Sequence, residues 1–281
     1  MNRSAVLPVA ALALACALTG CGGQGSAATP PAAPSAAPAA FDVGVSGTSF
    51  TGVPSSISPG TVTMTFDNPT SATHMAAIGR LAESHSADEI VPFLTSTQGQ
   101  QGLPPWLDLV GGVDDLDGGH RGSWTGDLAA GHYALLSLSP DVQGVPDVAG
   151  GMLAPFDVKG ATSTSAKKPD AGATVTHGTG ASLTMTAIPA GTTALRLVDD
   201  DATAHTVDIT AIRPGRTFDD VVQEAQQGNG VPPSLIRLGG TVVPAHGSVT
   251  AGIEAAQAGV TYVVFDIEHV GEGAIAHVTA G

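Results

Sequence analysis

A chain of 281 residues with 42% hydrophobic side chains holds one large or two ordinary domains with sizeable cores. Only 12% of residues are charged, glycine (37) and proline (20) are abundant and helix-forming lysine and glutamate are scarce, a balance that favours an all-β protein with many turns. A net charge of −15 without a compensating basic cluster argues against nucleic acid as a partner and against electrostatic attachment to anionic lipid.

Behind Arg3, the apolar run from Ala5 to Leu18 is too short for a comfortable membrane span and reads as an export signal over residues 1–20. It ends in Leu18-Thr19-Gly20-Cys21, which resembles the lipobox of bacterial lipoproteins. That resemblance implies cleavage before Cys21, diacylglyceryl attachment to its thiol, and a protein held on the extracytoplasmic face of a membrane in the bacterial cell envelope. Two or more acyl chains hold a protein stably on a bilayer where one does not. Cleavage after Ala15-Cys16-Ala17 would instead give a soluble secreted protein. Of the two cysteines, Cys16 leaves with the signal and Cys21 becomes a thioether, so the lipidated chain is expected to contain neither a free thiol nor a disulfide.

Residues 21–40 are mostly Ala, Pro, Gly, Ser and Thr without a charge, and read as a flexible tether that reaches about 25 Å. A second linker, residues 161–172, carries Lys167, Lys168 and Pro169 and reads as solvated and polar. Between and beyond the linkers lie residues 41–160 and a shorter segment, 173–281.

These two segments repeat one another. With Gly60 set on Gly191 the two run 35 residues without a gap, which places His74 on His205 and Asp88 on Asp219. Further on, Leu107 to Gly112 matches Leu235 to Gly240, and Gly131 matches Gly259. Val62, Met64 and Phe66 alternate with polar residues, as do Leu183, Met185 and Ala187, the period of half-buried strands. Ser86 to Glu89 and Thr217 to Asp220 are capping-box patterns that predict one short helix in a loop of each copy. Leu128 to Tyr133 has the pattern of a tyrosine corner, with Tyr262 after Gly259 as a looser version.

Asn68, His74, the Gly111-Gly112 turn, Gly131-x-Tyr133, Gly151-Met152, Phe156 and Val158 together resemble the cupredoxin-like domains of bacterial secreted proteins. The resemblance covers essentially all of 41–160 and most of 173–281, and implies two tandem Greek-key β-sandwiches, the second truncated. Copper-loaded members of that superfamily bind the metal through a histidine, a cysteine, a second histidine and usually a methionine. His74 and Met152 stand at the first and last of those positions, Ser137 stands at the cysteine, and Asp147 at the second histidine. A blue copper site needs a thiolate. The resemblance therefore implies a degenerate site without a cofactor, or, as the alternative, copper or another metal on His74, Asp147 and Met152. In the second copy Asp266 falls near the cysteine position, the loop 268–273 reads as too short for later ligands, His205 is left alone, and His269 and His277 read as surface residues.

No nucleophile elbow, metalloprotease, phosphate-loop or Cys-x-x-Cys pattern occurs, and nothing in the spacing of Ser, His and Asp picks a triad. Asp114, Asp115 and Asp117, and Asp199 to Asp201, offer oxygens to calcium but lack EF-hand spacing and read as turn residues. The sequence thus predicts a non-catalytic surface lipoprotein whose tandem domains bind a protein or small ligand, with Trp106 and His205 on the contact surface; the runner-up is the metal protein.

Overall fold

The computed structural model describes residues 39–99, 102–141, 143–162, 168–180, 182–227 and 231–281. The signal, Cys21 and most of the tether lie outside the described residues, as do Lys167 and the centre of the second linker. The first strand opens at Ala39, two residues inside the expected tether.

The first copy runs through β1 (Ala39–Ser46), β2 (Ser49–Thr51), β3 (Ser56–Ile57), β4 (Gly60–Asn68), β5 (His74–Leu81), α1 (Ile90–Leu94), β6 (Leu107–Leu116), β7 (His120–Leu128), β8 (Gly131–Leu136) and β9 (Leu153–Val158). The second repeats the series without a counterpart of β3: β10 (Ala173–Gly178), β11 (Ser182–Met185), β12 (Ala194–Asp199), β13 (His205–Ile212), α2 (Phe218–Ala225), β14 (Leu235–Val243), β15 (Ser248–Gly252), β16 (Thr261–Phe265) and β17 (Ile275–Thr279). The chain is mostly β, as its composition predicts. The alternation read in β4 is real: Val62, Met64 and Phe66 are fully buried. In β11 it holds for Leu183, while Ala187 falls beyond the strand.

Both capping boxes close. The Ser86 N–H donates to Glu89 Oε1 at 2.9 Å, and the Thr217 N–H donates to Asp220 Oδ2 at 2.7 Å while the Asp220 N–H donates back to Thr217 Oγ1 at 3.2 Å. Tyr133 Oη donates to the Ala129 carbonyl at 2.8 Å, as a tyrosine corner requires, and Tyr262 Oη accepts the Gln257 N–H at 3.1 Å.

Two sheets carry the whole described chain. One has the order β11-β10-β12-β15-β7-β4-β1-β2, the other β17-β16-β13-β14-β6-β5-β8-β9-β3. Most pairs are antiparallel; each copy opens with the same parallel pair, β1 with β4 and β10 with β12. The copies meet through duplicated strands. β7 pairs antiparallel with its counterpart β15, Trp124 opposite Ala251, and β6 meets its counterpart β14 at Leu116 and Leu238. Like strand therefore faces like strand across the seam, and one buried core runs from Val43 and Phe66 through Trp124 to Leu197 and Val264. The described residues belong to one compact unit. Each helix seals a small separate cluster, Leu81, Ile90 and Leu107 in the first copy and Ile212, Val221 and Leu235 in the second. No described helix is long and apolar enough to cross a membrane.

Candidate metal centre

Beyond the last strands' loops the two copies end differently. In the first copy His74, at the start of β5, places Nδ1 2.6 Å from Asp147 Oδ2, and Ser137 Oγ donates to the same oxygen at 2.8 Å. Ser137 Oγ in turn accepts the Met75 N–H at 3.3 Å. His74 and Asp147 are thus brought together as the spacing implies, and Met152, five residues after Asp147, is buried, with its N–H on the Asp147 carbonyl at 3.1 Å. His74, Ser137 and Asp147 satisfy one another by hydrogen bonds, which leaves little demand for a cation.

The second copy keeps the backbone frame and changes the side chains. The Asp266 N–H donates to the Ala274 carbonyl as the Ser137 N–H does to that of Met152, each at 3.1 Å. The Ala274 N–H donates to the His269 carbonyl as the Met152 N–H does to that of Asp147, again at 3.1 Å in each. Asp266 therefore occupies the Ser137 position, His269 the Asp147 position and Ala274 the Met152 position. The loop is shortened only on its near side, so the expectation that 268–273 carries no ligand position does not hold.

A fourth residue comes from the other sheet. His177, on β10, lies opposite Asp199 in the parallel pair; in β1 and β4 the same register sets Gly44 opposite Asp67, so His177 stands where the first copy has the buried Val45, and Asp199 where it has Asn68. His177, His205, Asp266 and His269 each offer a ligand atom, and the four atoms lie within 4.8 Å of one another. Asp266 Oδ2 is the hub: His205 Nδ1 and His269 Nδ1 are both 2.9 Å away and His177 Nε2 is 3.2 Å away. The His177 and His205 rings stack with centroids 3.8 Å apart and planes at 16°, and the His269 ring stands edge-on to His205 at 5.0 Å.

Hydrogen bonding does not complete this set. His177 is 0% exposed, yet neither ring nitrogen has a hydrogen-bond partner, because the 3.2 Å approach to Asp266 is poorly aligned; Asp199 Oδ2 nearby is likewise unpartnered. A buried unpaired imidazole is costly. Burial pushes the Asp266 carboxyl up, but hydrogen bonds from His269, the Glu268 N–H and His205 outweigh it and hold the acid below its ordinary range. Its hydrogen bond with Asp266 raises His269, and burial raises Asp199. The donor set is three imidazole nitrogens and one ionised carboxylate oxygen, suited to Zn(II) or Cu(II). It contains no thiolate, and a blue copper centre does not fit it.

Other expected residues fall elsewhere. His205, expected on an exposed contact surface, is buried at 7% exposure inside the cluster. Trp106 is half-buried, stacked on His85 at 4.5 Å and edge-on to Phe93 at 6.2 Å. His277 stacks on Phe218 at 3.8 Å and stays outside the set. Counting five residues back from the last strand, as from Met152 to Asp147, would have found His269; only the sheet register reveals His177.

The acidic runs are not turn-end decoration alone. Asp117 accepts from Thr73 Oγ1 at 2.7 Å and from the Arg237 N–H at 3.1 Å, and Asp115 accepts from Ser139 Oγ at 2.5 Å. Asp114 and Asp208 are close across the seam. Burial, then the neighbouring Asp115, pushes Asp114 up to about 6, and burial followed by Asp114 pushes Asp208 well above its ordinary value. An acid raised on folding stabilises the fold below its unfolded pKa and loses that contribution as pH rises through the folded one. Stability is therefore expected to fall between about pH 4 and pH 6, and Asp114→Asn to flatten that fall in urea titrations across the range. The shift corresponds to at most about 3 kcal/mol, reduced by the partial exposure of Asp114; parallel curves for the variant and the parent would refute the assignment.

No protein-family profile matches the sequence, and no curated protein matches it. Among solved structures, reduced auracyanin from Roseiflexus castenholzii is 18% identical, with a TM-score of 0.29 over 38% of this chain and 94% of that one. Auracyanin A from Chloroflexus aurantiacus, described as a "blue" copper protein, is 20% identical, with a TM-score of 0.30 over 44% of this chain and 100% of that one. The copper nitrite reductase of Nitrosomonas europaea is 12% identical, with a TM-score of 0.26 over 87% of this chain and 94% of that one. At such scores none of them assigns this chain a ligand or an activity.

Proposed function

We propose that the protein is a metal-binding lipoprotein of the bacterial cell envelope, anchored through Cys21 on the extracytoplasmic face, with duplicated Greek-key β-sandwiches of cupredoxin-like type. One divalent transition-metal ion binds in the second copy, on His177, His205, Asp266 and His269. The observation that carries this reading is the fully buried His177 with both ring nitrogens unpartnered, within 4.8 Å of three further donors. Four protein donors fill the tetrahedral shell of a structural or carried ion and leave no position for water or substrate, so the role is capture or retention of metal without catalysis. The first copy, closed by its own hydrogen bonds, serves as scaffold.

Metal analysis after equilibration of the purified chain with Zn(II) or Cu(II) and removal of free ion is expected to give one ion per chain. Asp266→Ala removes the only charged donor and is expected to abolish retention, while His74→Ala leaves it intact. A chain that retains no ion, or one whose ion is lost with His74 and kept without Asp266, would sink the proposal.

A further inference from the structure

We infer that His177 is the ligand that sets which cation the second copy accepts, and that Asp199 positions it; the centre is thereby built for a divalent ion and against Cu(I). This rests on the metal reading of the cluster and adds to it the identity of the cargo.

The two copies are an internal comparison. At the position where the first copy has the buried Met152, whose side chain carries a thioether, the second has Ala274, which offers no donor. Where the first has the apolar Val45 on its opening strand, the second has His177. One soft donor on the loop has been exchanged for an imidazole from the opposite sheet. Cysteine and methionine sulfur favour Cu(I), whereas imidazole with carboxylate favours Zn(II) and Cu(II). Because His177 enters from β10 and the other three donors come from β13 and the loop after β16, a bound ion also ties one sheet of the second copy to the other.

Asp199 completes the arrangement. In the first copy its counterpart, Asn68, donates from Nδ2 to the Ala72 and Leu116 carbonyls, each at 2.8 Å, and is fully used by the backbone. Asp199 accepts the Asp201 N–H on Oδ1 at 2.8 Å and keeps Oδ2 unpartnered; its Oδ1 lies 4.0 Å from His177 Nδ1, beyond hydrogen-bond distance, so a turn of the carboxylate is what would bring the free Oδ2 behind the ring. His177 Nε2 is the nitrogen nearer Asp266, at 3.2 Å, and Nδ1 the one nearer Asp199. A carboxylate behind a ligand imidazole fixes its tautomer and ring orientation, and loss of such a partner typically weakens metal affinity about 10- to 100-fold.

The test uses the full chain and the first copy's own residues as replacements, His177→Val and Asp199→Asn. Affinities for Zn(II), Cu(II) and Cu(I) are measured by chelator competition, and Co(II) is used as an optical probe of coordination number. The parent chain is expected to give a four-coordinate Co(II) spectrum and to prefer both divalent ions over Cu(I). His177→Val is expected to lose more than about 100-fold in Zn(II) affinity and to shift the Co(II) spectrum as water enters the vacated position, with Asp199→Asn losing about 10-fold or more. The melting temperature of metal-free His177→Val, at or above that of the parent, separates ligand loss from misfolding. Parent-like affinity and Co(II) spectrum in His177→Val would overturn the inference and leave the metal reading standing. So would a parent chain that takes Cu(I) more tightly than Zn(II); failure of the parent to bind any of the three ions would remove both.

Discussion

Zinc added to the metal-free chain is expected to raise its melting temperature by about 8–16 °C at a thousandfold excess over the dissociation constant. A ligand that binds only the folded state at that excess stabilises it by about 4 kcal/mol, and about 2–4 °C per kcal/mol is usual for units of 150–250 residues. The described chain forms one compact unit, so the gain is expected as a shift of one transition. The pH dependence carries a sign. Without metal, His269 is raised by Asp266, and its contribution to stability is complete below the unfolded imidazole pKa and is lost as pH rises through the folded value. Asp266 is lowered, and its contribution is complete above the unfolded carboxyl pKa and is lost as pH falls through the folded value. The metal-free pair thus stabilises most between those limits. Metal needs deprotonated imidazoles and competes with protons for them, so the gap between zinc-loaded and metal-free melting curves is expected to widen as pH rises from about 5 to 8. Differential scanning calorimetry at several pH values measures both. A gap that narrows over that range, or the absence of any shift, is incompatible with a cation on these four residues.

The parts legible in the sequence are those set by local pattern. The alternation in β4, both capping boxes and the Tyr133 corner each depend on residues within a few positions of one another, and each is present; the duplication is legible because it repeats such local patterns in the same order. The cluster in the second copy is not legible in the sequence for a physical reason. His74, Asp147 and Met152 keep the loop spacing, but spacing says nothing of whether side chains are already satisfied, and Ser137 and Asp147 consume the His74 site by hydrogen bonding. In the second copy the ligand loop lost residues between Asp266 and His269, so counting forward from the cysteine position missed His269. His177 lies 28 residues before His205 on a strand of the other sheet. The parallel register sets it beside Asp199, and only the approach of the two sheets, a property of the folded backbone, brings it to Asp266. The core that joins the copies was equally invisible, since the side-chain period of β7 and β15 shows that each has a buried face but not that they pair with one another.

Trp124→Ala is expected to cost about 3–5 kcal/mol, the usual range for a large aromatic removed from a core, and to lower the melting temperature by about 6–20 °C. Trp124 is 1% exposed and sits on β7, between β4 and the strand of the second copy, opposite Met64 on one side and Ala251 on the other. Its indole lies so close to the backbone of Gly111 and Gly126 that a Cβ at either would come within 2.5 Å and 2.2 Å of the ring. Gly111 also has φ of +155°, so the position disfavours a side chain on both counts. The indole N–H, however, is buried without an acceptor. Trp124→Phe removes that orphan donor while keeping most of the ring, and the gain of about 1–3 kcal/mol from losing an unpaired polar group offsets much of the smaller cavity. The phenylalanine variant is therefore expected to fall within about 1.5 kcal/mol of the parent, far above the alanine variant. Gly111→Ala is expected to destabilise the parent by overpacking against the indole, and to cost less in the Trp124→Ala background, where the ring it meets is gone. Urea unfolding of the four chains closes the double-mutant cycle. Equal costs of Gly111→Ala in both backgrounds would show that Trp124 does not fill the space above Gly111, and a phenylalanine variant as weak as the alanine one would show that its N–H is satisfied.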